Sequence, residues 1–292
     1  MRDKINICHI SDLHFGIFEN KSFKTIDENF HLADSLIDFI STHFKEDEKP
    51  HFLLISGDLT SISKKSEYKD FLSFIDNFIE EGCFARCYFN KYSEKDRIII
   101  VPGNHDVVRE LDIKGKYGGD KIETFKKNIA EKGFNTPYGN DKGYCFEIND
   151  MEVKRLVKCS PIPCALYYYP EYNIMFLALV SCYLSQKYNP IVLKIYEKFK
   201  DIDMDENIFK ELEKDIEKII YEDFGHFPQL YWKKTRKTLK EFKKITGNIK
   251  DKYRNLIKFA ITHHQVIPMY SKHICPEGAL EMREILGKYG VV

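Results

Sequence analysis

No apolar run in the chain exceeds the seven residues of IMFLALV, far short of the roughly 20 that a membrane-spanning helix needs. No membrane association is therefore expected. An excess of one charge is also lacking: 45 Lys+Arg meet 45 Asp+Glu, so net charge proclaims neither a nucleic-acid binder nor a membrane-surface protein. Cysteine is present but unpatterned. The eight cysteines (Cys8, Cys83, Cys87, Cys145, Cys159, Cys164, Cys182 and Cys275) include no CxxC pair, and the chain enters an apolar run at INICHI without a signal peptide. Buried free thiols in a reducing cytoplasm are the expectation. Tandem repeats, low-complexity linkers and firm domain boundaries are missing too. What is present is bulk: 22 Phe and 18 Tyr in 292 residues supply a sizeable core for a globular protein.

Short strand-like runs occur at INICHI, FLLIS, RIIIV, IMFLALV and KFAIT, with helical periodicity filling much of the space between. This alternation is an α/β signature. Phe30, Ala33, Leu36, Ile37, Ile40 and Phe44 recur at three- and four-residue spacing over 27–44, with Asp27 available as a cap, and predict an amphipathic helix. Phe71, Phe74, Ile75 and Phe78 predict a second over 66–80, stopped by Gly82. Residues 201–223 are acidic and 233–258 basic; a stripe of Trp232, Thr235, Leu239, Phe242, Ile245, Ile249, Tyr253 and Leu256 predicts one long helix through the basic stretch. Two oppositely charged, solvated helix faces account for both runs, and a polyphosphate or nucleic-acid contact on the basic face is the sharper alternative.

Four of the five strand-like runs end in residues suited to metals. HISDLH places Asp12 and His14 after the first, LLISGDLT places Asp58, VPGNHD places Asn104, His105 and Asp106, and FAITHHQ places His263 and His264. Singly, each is commonplace, since Asp caps helices and Gly-Asp makes turns. Together, at strand ends where α/β proteins bind ligands, they describe a two-metal centre: a carboxylate to bridge, with imidazole and neutral amide oxygens to complete each shell. This donor set suits Mn, Fe, Zn or Ni better than Mg or Ca, and the lack of thiolates argues against a structural zinc site.

In order and context these blocks resemble the calcineurin-like metallophosphoesterases, whose pattern runs D-x-H, G-D, G-N-H-[DE], H and finally G-H-x-H. DLH, GD, GNHD and THH match the first four, and QLYWKKTRKTL is similar to a helix many members carry before the fourth. The resemblance implies a four-layer α/β/β/α sandwich of two mixed sheets. It implies two divalent metals, manganese first, with iron, zinc or nickel as alternatives. Asp12 and His14 would hold one metal, Asp58 would bridge, and Asn104 and His263 would hold the other. His105 would stand beside the phosphate as a catalytic group, oriented by Asp106, while a metal-activated hydroxide attacks phosphorus; His264 is left outside the shell.

The wording of VPGNHD and SGDLT is closest to the cyclic-nucleotide phosphodiesterase branch, so a phosphodiesterase acting on a nucleotide-type substrate is expected. A nuclease similar to Mre11/SbcD, and a non-catalytic scaffold of the same fold, are the alternatives. Two departures qualify the match. The last block is absent, the chain ending in EILGKYGVV; a fragment of a longer protein is the expectation, with a partner chain or oligomer supplying the histidines, or a natively incomplete site, as alternatives. GHF at 225–227 lacks the second histidine. Residues 184–228 exceed a simple connection and are expected to form a helical insertion within a metallophosphoesterase domain spanning 1–292.

Overall fold

The computed structural model describes residues 4–16, 28–86, 92–108, 122–139, 147–148, 151–152, 164–169, 171–182, 229–247, 256–264 and 278–292. The expected insertion, the acidic stretch, the GHF triplet and the Asp27 cap lie outside the described residues.

Strands β1 (Ile7–Ile10), β2 (Phe52–Ser56) and β3 (Ile98–Val101) form one sheet in that order. Both pairings are parallel, with Ile7 opposite Phe52 and Leu53 opposite Ile98. The connections carry helices α1 (Glu28–His43) and α2 (Lys65–Glu80), and Gly82 past α2 takes the left-handed φ of 62° that favours glycine. Every residue of β2 and β3 is buried, which fits strands covered on both faces. Alternation decides the two sides: Leu53, Ile55, Ile98 and Ile100 join Ala33, Ile37 and Ile40 of α1 and Phe71, Phe74, Ile75 and Phe78 of α2 in one core.

Phe52, Leu54, Ile99 and Val101 turn the other way, into a second core. There they meet β6 (Cys164–Tyr169) and β7 (Ile174–Leu179), an antiparallel pair, to which β8 (Ile257–Ile261) adds in parallel. Phe52 packs its ring at 4.7 Å from Tyr169 and 5.0 Å from Phe176. Each such ring contributes about 1.5–3 kcal/mol by leaving water. On the far face of β6, Tyr168 meets Phe242 of helix α4 (Gln229–Gly247), and Thr235 donates its hydroxyl to the Cys164 sulfur. Helix α5 (Ala279–Lys288) shares this core through Met282 and Leu286. Beyond it, the Val292 N–H donates to Lys258 and its carbonyl accepts from Ala260, bracketing Phe259 as a parallel strand does. Helix α3 (Glu123–Asn128) and a short antiparallel pair, β4 (Glu147–Ile148) with β5 (Met151–Glu152), complete the described elements.

One expectation needs correction, and two features of the fold go beyond the expectations. Among the described residues the first sheet is parallel throughout and the second is mixed. The basic stretch is not one helix to Lys258: α4 is described over Gln229–Gly247, Leu256 is not helical and Lys258 lies in β8. There, ladder bonds to β7 satisfy the backbone that a longer helix would have satisfied internally. The strand β6 was not anticipated, although its β-prone aromatic run CALYYY signals one. Among the described residues no helix is long and apolar enough to cross a membrane.

Candidate metal centre

Parallel strands deliver their C-terminal ends to one edge, and this is what brings the polar loops together. Beyond β1 the ladder continues through the loops, with Asp12 N–H donating to Gly57 (3.1 Å) and His14 N–H to Asp58 (2.8 Å). Asp12, His14 and Asp58 all adopt left-handed φ values of 57°, 45° and 51°. L-residues are held in this region only when their surroundings over-determine it, at about 1–3 kcal/mol each. Three candidate ligands therefore carry the local strain.

Asp58 is the hub. One carboxylate oxygen, Oδ1, accepts the His105 backbone N–H at 2.9 Å. The other, Oδ2, lies 3.6 Å from His14 Nε2 and 3.5 Å from His263 Nε2. His263 donates its Nδ1–H to the Ser56 carbonyl (2.8 Å), and Nε2 sits 2.9 Å from Asn104 Oδ1. A neutral ring donating from Nδ1 has a lone pair on Nε2. That lone pair, the Asn104 oxygen and Asp58 Oδ2 are three acceptors converging with no proton among them, an arrangement a cation satisfies. Two groups have ligand atoms within 4.8 Å of one another: Asp12, Asp58 and His263, and His14, Asp58 and His105. Asp58 belongs to both. Its geometry suits a carboxylate shared by two ions.

His105 stands with its ring centroid 4.7 Å from that of His14, edge to face. Its Nδ1–H donates to the Ser61 carbonyl at 2.7 Å, which leaves the lone pair of the neutral ring on Nε2. Asp106, expected to orient this ring, stands next to it in the chain with its carboxylate turned to neighbouring backbone. Asp106 is fully buried, and its two carboxylate oxygens are taken by the N–H groups of Leu59, Thr60 and Gly103 and the Thr60 hydroxyl. It ties the loop after β2 to the loop after β3, and so acts on His105 through the backbone. Its carboxyl is raised to about 7: burial pushes it up, the Gly103 N–H pulls it back, and the Asp58 charge pushes it up again. Tyr68 and Ser63 extend the brace by donating to the Asp106 carbonyl.

The glycines of GD and GN clear the space. A Cβ at Gly103 would lie 2.2 Å from Asp58 N and Oδ1, and one at Gly57 would lie 2.6 Å from His263 Nδ1 and 2.7 Å from Gly103 backbone atoms. Gly57 also has φ 95°. His264 turns aside: its Nδ1 and its N–H both meet the Ser181 hydroxyl, at 2.8 and 2.9 Å, pinning the β8 loop to the β7 loop. The Ser56 and Ser61 carbonyls escape sequence reasoning because every residue carries a carbonyl; Ser181 lies just past a strand, the one signal that marks it.

A model of the calcineurin-like phosphoesterase family matches residues 5–291. The chain belongs to that family. Calcineurin-like phosphoesterases hydrolyse phosphoesters with divalent metal ions, and the donor set converging on Asp58 fits that use. No curated protein sequence matches the chain.

Proposed function

We propose that this calcineurin-like phosphoesterase is a two-metal phosphodiesterase acting on a nucleotide-type substrate. The observation that carries the reading is Asp58, with one oxygen fixed by the His105 N–H and the other facing two imidazoles. Asp12, His14 and Asp58 would hold one ion; Asp58, Asn104 and His263 would hold the other. The mix of imidazole, carboxylate and amide oxygen suits manganese, with iron, zinc or nickel as alternatives. When bound, the ions would supply Lewis acidity toward the phosphoryl oxygens and a nucleophile at neutral pH.

The protein's own part is positional. The Ser61 carbonyl holds His105 with Nδ1 protonated, leaving Nε2 to face the phosphate. In its protonated form that nitrogen donates to a phosphoryl oxygen or passes its proton to the departing alkoxide. The Ser56 carbonyl fixes His263 in the same tautomer, as outer partners of ligating histidines commonly do. The two cores support the four-layer α/β/β/α arrangement within one domain, with α1 and α2 outside the first sheet and α4 outside the second. The free thiols of Cys8, Cys83 and Cys164 suit a cytoplasmic protein; burial pushes those of Cys8 and Cys83 up to about 11, where they are unreactive.

The test is hydrolysis of bis-p-nitrophenyl phosphate with added Mn²⁺, by the wild type and by His105→Ala and Asp58→Ala. Metal-dependent turnover abolished by both substitutions is expected. Turnover insensitive to both would overturn the reading.

A further inference from the structure

Helix α4 carries a feature that the metal centre does not use. Lys233, Arg236, Lys237, Lys240, Lys243 and Lys244 are all exposed, while Thr235, Thr238, Leu239 and Phe242 are buried against the second sheet. At 3.6 residues per turn the six cations fall within an arc of about 120° and span roughly 17 Å of axis. Glu241 is the one acidic residue of the helix, at 4.0 Å from Lys237. Among the described residues, Lys233, Arg236, Lys240 and Lys244 have no carboxylate partner.

Such an arrangement works against the helix. Lys233 with Lys237, Arg236 with Lys240, and Lys240 with Lys244 are like-charge i,i+4 pairs, each destabilising by about 0.2–0.5 kcal/mol. An anionic ligand repays that repulsion, and the shape of the stripe says which kind. It is linear, and among the described side chains no exposed large hydrophobic residue lies on α4. A helix lying on a bilayer needs an outward apolar face, and the apolar face of α4 is spent on β6. A protein partner would need a buried aromatic or aliphatic anchor. A regular row of phosphates needs neither.

The direction of the helix adds to this. Thr235 contacts Cys164, Cys164 pairs with Leu179, and Ser181, two residues on, holds His264. The first turns of α4 therefore lie at the metal-centre end of the second sheet, and Phe242 beside Tyr168 lies further from it. We infer that the outward face of α4 binds the phosphate backbone of a nucleic acid. The interaction is with backbone charge, not base edges, and is independent of turnover at the metal centre.

The experiment compares the full chain with a Lys233→Gln, Arg236→Gln, Lys240→Gln, Lys244→Gln variant. Binding of a fluorescent oligonucleotide duplex is followed by anisotropy in EDTA between about 50 and 200 mM salt. The wild type should bind with a steep salt dependence, and loss of four phosphate contacts should reduce the slope of log K on log salt by about 3.6. Thermal unfolding shows whether the variant is folded, and Mn²⁺-dependent hydrolysis of the small diester should be unchanged because none of these residues touches the centre. An undiminished slope in the variant overturns the inference. So does an absence of wild-type binding at low salt, as when acidic residues of the same chain occupy the face, or equally tight binding of polyglutamate or anionic vesicles.

Discussion

The two sheets of this phosphoesterase use their strands differently. The first has short parallel strands, apolar apart from His9 and Ser56, and it invests its loops: left-handed backbone at Asp12, His14 and Asp58, glycines that clear space at 57 and 103, and a buried carboxylate, Asp106, lashing two loops together. The second has longer strands locked by ring contacts of Tyr169 with Phe176 and of Phe176 with Phe259, and among the described residues it contributes His263 alone to the converging donors. Its job is to hold one imidazole against a centre built by its neighbour. Chemistry and stability are therefore separable by mutation to a degree that a single-sheet protein would not allow.

Asp58→Ala should break the first half hardest. It removes both the shared carboxylate and the acceptor of the His105 N–H, and a loss of about 10³-fold in diester hydrolysis, near 4 kcal/mol of barrier, is expected. Unfolding should shift little, which a thermal melt checks. The opposite pattern belongs to Leu177→Ala in fully buried β7: about 3 kcal/mol of stability lost in denaturant titration, with hydrolysis per folded molecule retained. Should Leu177→Ala abolish turnover in folded protein, the two halves are not separable.

Gly103→Ala tests the junction. Its Cβ would meet backbone and carboxylate atoms that have no free rotamer to retreat into, so about 2 kcal/mol of overpacking strain is expected, together with weaker metal binding by calorimetry. Smallest is Tyr68→Phe, which deletes one donor to the Asp106 carbonyl. About 1 kcal/mol of stability should be lost, and kcat reduced with KM unchanged if the brace acts through His105.

Much of this was legible in the chain. DLH, GD, GNHD and THH each stand after an apolar run, and such runs end at the edge where loops converge; the phenylalanine spacing of α2 is answered by its buried face. Other features were not. Asp106 reads as a partner for His105 because adjacency in sequence suggests adjacency of side chains, yet the turn at 104–106 points the carboxylate back at Leu59 and Thr60. The basic stretch reads as one helix to Lys258 because period alone does not show where a ladder with β7 takes over.

The sequence by itself determined which residue types stand at the strand ends and that their chemistry is that of divalent metals. It did so because motif order and apolar periodicity are local properties. Tertiary structure alone decided that Asp58 shares its two oxygens between a backbone N–H and two imidazoles, that Ser56 and Ser61 set the tautomers of His263 and His105, and that the cations of α4 form one outward stripe. Those outcomes depend on backbone carbonyls and on packing between segments up to 207 positions apart, and neither leaves a mark on the identity of a residue.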